Sequence, residues 1–224
     1  MEASALKARL TTPIRERSAR ARAADPTFKA ILTGLAALIL VAGSGVAALH
    51  QDFSEPDNAM RLVRVRDMLA GQGWFDNIQH RLNAPDGTPM HWAQWIDAAI
   101  AGPILLLSPI IGQHNAEIVM AFAWPLGLLA IFMALVVRVS GEIGARDGLR
   151  RETEWAGAIV TALAFPAIEK FSPGSFDHHN IELVLALTAI IGLMRMKDTP
   201  RIALLSHSSF GSADSPTALK AAKC

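Results

Sequence analysis

Two unbroken apolar runs dominate the hydrophobic pattern of the chain. Residues 30–49 and 118–137 each hold 20 positions without a charge. A helix of about 20 apolar residues spans a hydrocarbon core of roughly 30 Å. Two shorter runs, residues 155–168 and 181–194, reach that length once their flanks are included. A fifth run, residues 96–112, is interrupted by Pro103 and Pro109 and suits a re-entrant or interfacial helix better than a crossing. The pattern predicts an all-α membrane protein with about four transmembrane helices. Amphipathic and re-entrant or interfacial helices would then fill a large first external loop, residues 50–115.

Charge changes this picture by its placement more than by its total. The net charge of +1 points to neither a nucleic acid nor an acidic substrate. Residues 1–29 carry seven basic side chains against three acids, which reads as a basic cytoplasmic tail before an uncleaved first span. With four spans, Arg138, Arg146, Arg150 and Arg151 fall in one short loop on the side of that tail, as do Arg195 and Lys197. Five spans would put Arg150 and Arg151 outside. Residues 30–198 therefore form the membrane region, multi-pass, with the amino terminus in the cytoplasm. Residues 199–224 hold Ser, Thr, Ala and Lys without a sustained period, and read as a disordered tail or as the end of a truncated or shifted reading frame. The single cysteine, Cys224, allows no intramolecular disulfide.

Candidate chemistry lies in two polar stretches that this topology puts on one side. After Asp57, an apolar face of Met60, Leu62, Val63, Val65, Met68 and Leu69 alternates with Arg61, Arg64 and Asp67, and Gly71 and Gly73 end the pattern. Asp57 has the position of an N-cap. Residues 84–88, APDGT, predict a type I turn, and Trp92 and Trp95 suit a membrane interface. The second stretch is SFDHHN, residues 175–180. In an extended loop Asp177 and His179 point to one side and His178 to the other. A carboxylate with an imidazole suits a divalent ion such as Mn²⁺, Mg²⁺ or Zn²⁺, although two ligands do not complete a site.

The order of these features resembles the amino-terminal part of the oligosaccharyltransferase catalytic subunits, within the C-type glycosyltransferase superfamily. One span is followed by an external Asp57, an Arg-bearing helix, Trp74-Phe75-Asp76, a Pro-x-Gly turn and Trp92; then come a charged inner loop and SFDHHN. The likeness covers residues 30–197, and is strongest to bacterial and archaeal members whose second motif reads Asp-x-His. It implies a bacterial-type inner membrane and a polyprenyl-phosphate-linked sugar donor. It further implies that Asp57, as a catalytic and metal-binding aspartate, joins Asp177 and His179 around Mn²⁺ or Mg²⁺. His178 would be the intervening non-ligand, and Arg61 and Arg64 would contact substrate phosphate.

The family's later spans and catalytic Glu have no counterpart in this sequence. The expectation is therefore an amino-terminal part of a membrane glycosyltransferase, truncated and inactive alone, with the acceptor undetermined. The alternative is a non-catalytic accessory protein or remnant that binds a lipid-linked sugar. A transporter would place ionisable groups within its spans, and these have essentially none away from their ends.

Overall fold

A computed structural model of the chain describes residues 25–53 and 55–196. The expected tail of residues 199–224, and all but the last five positions of the basic tail, lie outside the described residues. By its contacts the chain divides at residues 188 and 189 into two compact units. The features below belong to the first unit, except that the last helix runs past its end.

Seven α-helices and almost no strand make up the described residues, 73% of which are helical. They are α1 (Pro26–Gly43), α2 (Pro56–Leu69), α3 (Gln94–Ile111), α4 (Gln113–Gly144), α5 (Arg150–Leu163), α6 (Phe165–Glu169) and α7 (His179–Arg195). A two-residue antiparallel ladder pairs β1 (Ile78–Gln79) with β2 (Thr88–Pro89). By length and apolar composition, three helices can cross a membrane: Pro26–Gly43, Gln94–Ile111 and Gln113–Asp147. These features are consistent with a membrane protein.

Local chemistry accounts for most helix ends. The Asp25 carboxylate accepts the Thr27 N–H at 3.0 Å and Pro26 opens α1, where a missing N–H costs nothing. Pro56 opens α2 in the same way, which makes Glu55 the N-cap and moves Asp57 into the first helical turn. Asp57 is therefore not the N-cap that its spacing suggested. The turn over residues 83–87 also differs from a type I turn. Its Ala84–Pro85 bond is cis, and the Gly87 N–H donates to the Asn83 carbonyl at 3.1 Å.

The two prolines of residues 96–112 do not divide the segment, and α3 continues through both. Its end comes at Gly112, whose φ of 82° and ψ of 151° are open essentially to glycine alone. α4 begins at the next residue and packs back on α3: Ile100, Ala101 and Ile104 meet Ala116, Met120 and Ala121 in one buried cluster. Ala48, Phe176, and Leu62 and Val65 of α2 complete it. A second cluster joins Val41 of α1, Leu129 and Phe132 of α4, Phe171 and Val184.

Contacts at the two ends fix helix directions. Asp25 lies 3.9 Å from Arg151, and Lys29 sits over the Trp155 ring at 4.7 Å, so α1 and α5 start at the same end. At the other end Gly45 packs so closely on Pro173 and Phe122 that an added Cβ would lie 2.6 Å from the proline ring. α4 runs the opposite way, with Gly144 against Thr153 and the Ala121 carbonyl accepting from Gly174 at 2.7 Å.

Candidate metal centre

The SFDHHN segment is held from several sides before any ligand is considered. The Gly174 N–H is tied to α4 as above. Phe176 is fully buried and meets Phe53 edge-on at 5.7 Å. The Asn180 amide donates to the Ser175 carbonyl at 2.9 Å, closing the segment on itself. The Asp177 backbone N–H donates to the side chain of Asn58, in α2, at 2.9 Å. A polar loop is thus pinned by one aromatic anchor and three hydrogen bonds.

Asp177 is 4% exposed, and its carboxylate collects several partners. One oxygen faces Nδ1 of His178 at 2.6 Å and Nη2 of Arg61 at 3.4 Å; the other faces Nε2 of His179 at 3.4 Å. Burial pushes the Asp177 carboxyl up. Hydrogen bonds from the His178 backbone and ring, with the charges of both histidines, outweigh that and hold it below the usual carboxylate range.

One ligand atom from each of Asp177, His178 and His179 lies within 4.8 Å of the others. Atoms sharing a small divalent ion at about 2.0–2.2 Å are at most about 4.4 Å apart, so the donor set fits such an ion with little adjustment. The expected split of the two histidines to opposite sides is not observed. α7 begins at His179, and the turn into it brings both rings to the same carboxylate, with centroids 4.4 Å apart.

Asp57 is exposed and is not among the atoms of that group. Its neighbour Asn58 is the residue that receives the Asp177 N–H, so the start of α2 and the SFDHHN segment are in direct contact. Arg61 and Arg64, expected on the polar face of α2, are instead buried at 1% and 8% exposure. The cause is Asp97, fully buried in the first turn of α3. It accepts from Arg61 at 2.8 Å and from Arg64 Nε at 3.0 Å. Arg61 also lies over the Trp92 ring at 4.6 Å, and its Nε has no hydrogen-bond partner. Trp92 therefore packs on the ion-pair network, whereas Trp95 is exposed and stacks edge-on with Trp74 at 4.9 Å.

Asp97 was missed by sequence reasoning. The signal was a lone carboxylate at the entry of an apolar run, where an unpaired charge is costly. Glu117, 2% exposed in α4, was missed likewise; Arg66 pairs with both of its oxygens, at 2.9 and 2.6 Å.

Beside the centre opens a cleft of about 490 Å³ bordered by His179, Glu182 and Lys170. Its floor is apolar, from Pro166, Leu183 and Ala186. Lys170 bonds Glu55 at 2.9 Å, and that bond holds its ammonium above the usual lysine range. No protein-family model, curated protein or solved structure matches this chain.

Proposed function

We propose that this protein is the amino-terminal part of a membrane glycosyltransferase that uses a polyprenyl-phosphate-linked sugar donor. In this reading four segments cross a bacterial-type inner membrane, and Asp177 and His179 hold a divalent cation. A bound cation would supply charge stabilisation at a leaving phosphate. The chain's own residues position the site: Asn58 fixes the backbone of Asp177, and Arg61 fixes its carboxylate. The cleft beside His179 has an apolar floor that suits an isoprenoid, and its rim carries Lys170, already paired with Glu55, together with Glu182.

The observation that carries the reading is the contact of α2 with SFDHHN. Those two segments bear the resemblance, lie about 120 residues apart in sequence, and meet through Asn58 and Arg61 at Asp177. A second reading, a non-catalytic accessory protein or remnant holding a lipid-linked sugar, draws support from the arginines. Both are engaged by Asp97, which leaves less of their charge for a substrate phosphate.

The test is Mn²⁺ binding by the purified chain in detergent, followed by binding of a fluorescent polyprenyl-pyrophosphate. Asp177→Ala should abolish Mn²⁺ binding, and donor binding should depend on the metal. Metal-independent donor binding would favour the accessory reading, and Mn²⁺ binding that survives Asp177→Ala would remove the metal site. Asp57→Ala tests the remaining ligand, since a helix-end role alone predicts unchanged Mn²⁺ affinity.

A further inference from the structure

Glu182 stands one turn into α7 and reaches both imidazoles of the centre. Its Oε1 lies 3.7 Å from Nε2 of His178, and its Oε2 lies 3.5 Å from Nδ1 of His179. Asp177 faces the opposite nitrogen of each ring, Nδ1 of His178 and Nε2 of His179. Each imidazole is thus set between two carboxylates, one per ring nitrogen. The two histidines reach this arrangement through opposite nitrogens, as expected of two successive residues entering a helix. A first-turn glutamate that merely favours the helix end has no need to address both rings.

We infer that His178 and Glu182 belong to the metal centre, His178 as a third ligand and Glu182 as a positioning residue. Glu182 lies within ion-pair reach of the far-side nitrogen of each ring. A small side-chain shift on metal binding would let it accept those N–H groups, setting His178 to bind through Nδ1 and His179 through Nε2. Carboxylates behind metal-bound histidines fix the tautomer and raise the basicity of the ring in this way. The donor set is then two nitrogens and one oxygen from three adjacent positions. Imidazole nitrogen favours borderline ions, and a mixed set of this kind binds Zn²⁺ above Mn²⁺ and both above Mg²⁺. The inference rests on the metal-site reading above and adds two residues and an ion preference to it.

The experiment uses the full 224-residue chain in detergent, titrated with Zn²⁺, Mn²⁺ and Mg²⁺ by calorimetry. Nitrogen couplings to bound Mn²⁺ are read by pulsed electron paramagnetic resonance. The parent should show two coupled nitrogens and the affinity order Zn²⁺, Mn²⁺, Mg²⁺. His178→Ala should leave one coupled nitrogen and weaken Zn²⁺ binding about tenfold or more. Glu182→Ala should weaken it by about 10–100-fold, the usual effect of losing an outer carboxylate, and Glu182→Gln by less because its amide oxygen still accepts. Glu182 is 60% exposed, so its variants should keep the fold, which circular dichroism verifies. Unchanged affinity and nitrogen count in His178→Ala, with binding lost in Asp177→Ala and His179→Ala, would overturn the inference and leave the metal site standing. Unchanged affinity in Glu182→Ala would remove the positioning role. A parent chain that binds none of the three ions would overturn both.

Discussion

At the residue scale, the centre rests on a charge that the centre itself does not contain. Asp97 is fully buried and balances two buried arginines, one of which also touches Asp177. Removing one partner of such a set strands an uncompensated charge, at a cost of about 3–5 kcal/mol. Asp97→Asn should therefore lower the melting temperature in detergent far more than Asp57→Ala. Asp57 is exposed, and its loss costs at most about 1 kcal/mol of helix-end electrostatics. Equal melting temperatures for the two variants would contradict the burial of Asp97. This contrast also marks what the sequence could and could not disclose. Asp177, His178 and His179 are adjacent in the chain, so their cluster was legible. Asp97 finds its arginines across 33 and 36 positions, and nothing local distinguishes it from a stray acid. The arginines of α2 read as solvent-facing for the same reason: helical periodicity records polarity, not the distant partner that permits a charge to be buried.

At the element scale, the apolar runs gave the helices but not their limits. The run of residues 118–137 became a helix of 32 residues because its polar flanks are satisfied where they lie. At the start, Glu117 takes up Arg66, Gln51 and Gln113; beyond the apolar run, Glu142 lies 3.4 Å from Arg138. Residues 96–112 misled in the other direction. Proline removes one backbone donor and crowds the preceding turn, which reads as a break, yet α3 passes through both prolines on the packing of Ile100, Ala101 and Ile104. The true break is Gly112, a single residue between two long helices. An alanine there meets no atom within 4 Å, so any penalty is conformational alone. Gly112→Ala should cost about 1–3 kcal/mol. Gly127→Ala, also in open space but inside α4, should be neutral or stabilising by up to about 1 kcal/mol. Thermal unfolding of the two variants in the same detergent compares them. Similar melting temperatures would mean that the bend at Gly112 is not needed for the fold.

At the scale of the first unit, the direction of the helices bears on which side the centre faces. α1 and α5 begin together at the end marked by Asp25, Lys29, Arg151 and Trp155, and α4 runs back towards that end. The arginines at 138, 146, 150 and 151 gather there, while Asp177, Asn58 and the cleft at Lys170 lie at the opposite end. Basic residues accumulate on the cytoplasmic side of short loops, so the orientation proposed above would put the candidate metal centre outside. In the proposed four-span topology α5 and α6, which together cover residues 150–169 with only Ala164 between them, would supply a crossing that neither is long enough to make alone. The expectation is tested on a Cys224→Ser background, which removes the one native thiol. A cysteine at Gly87, in the turn between β1 and β2, should react with an impermeant maleimide added to intact cells. A cysteine at Gly148, between α4 and α5, should react only after the membrane is opened. Both glycines have positive φ, 77° at Gly87 and 73° at Gly148, which a cysteine adopts only with strain; Gly148 has open space, whereas a Cβ at Gly87 would also press on Ile78. Gly87 is itself buried whereas Asp86 is exposed, so Asp86→Cys serves as the check on the first result. Labelling at 148 in intact cells would reverse the orientation and place Asp177 and its histidines on the cytoplasmic side, where a donor presented from outside could not reach them.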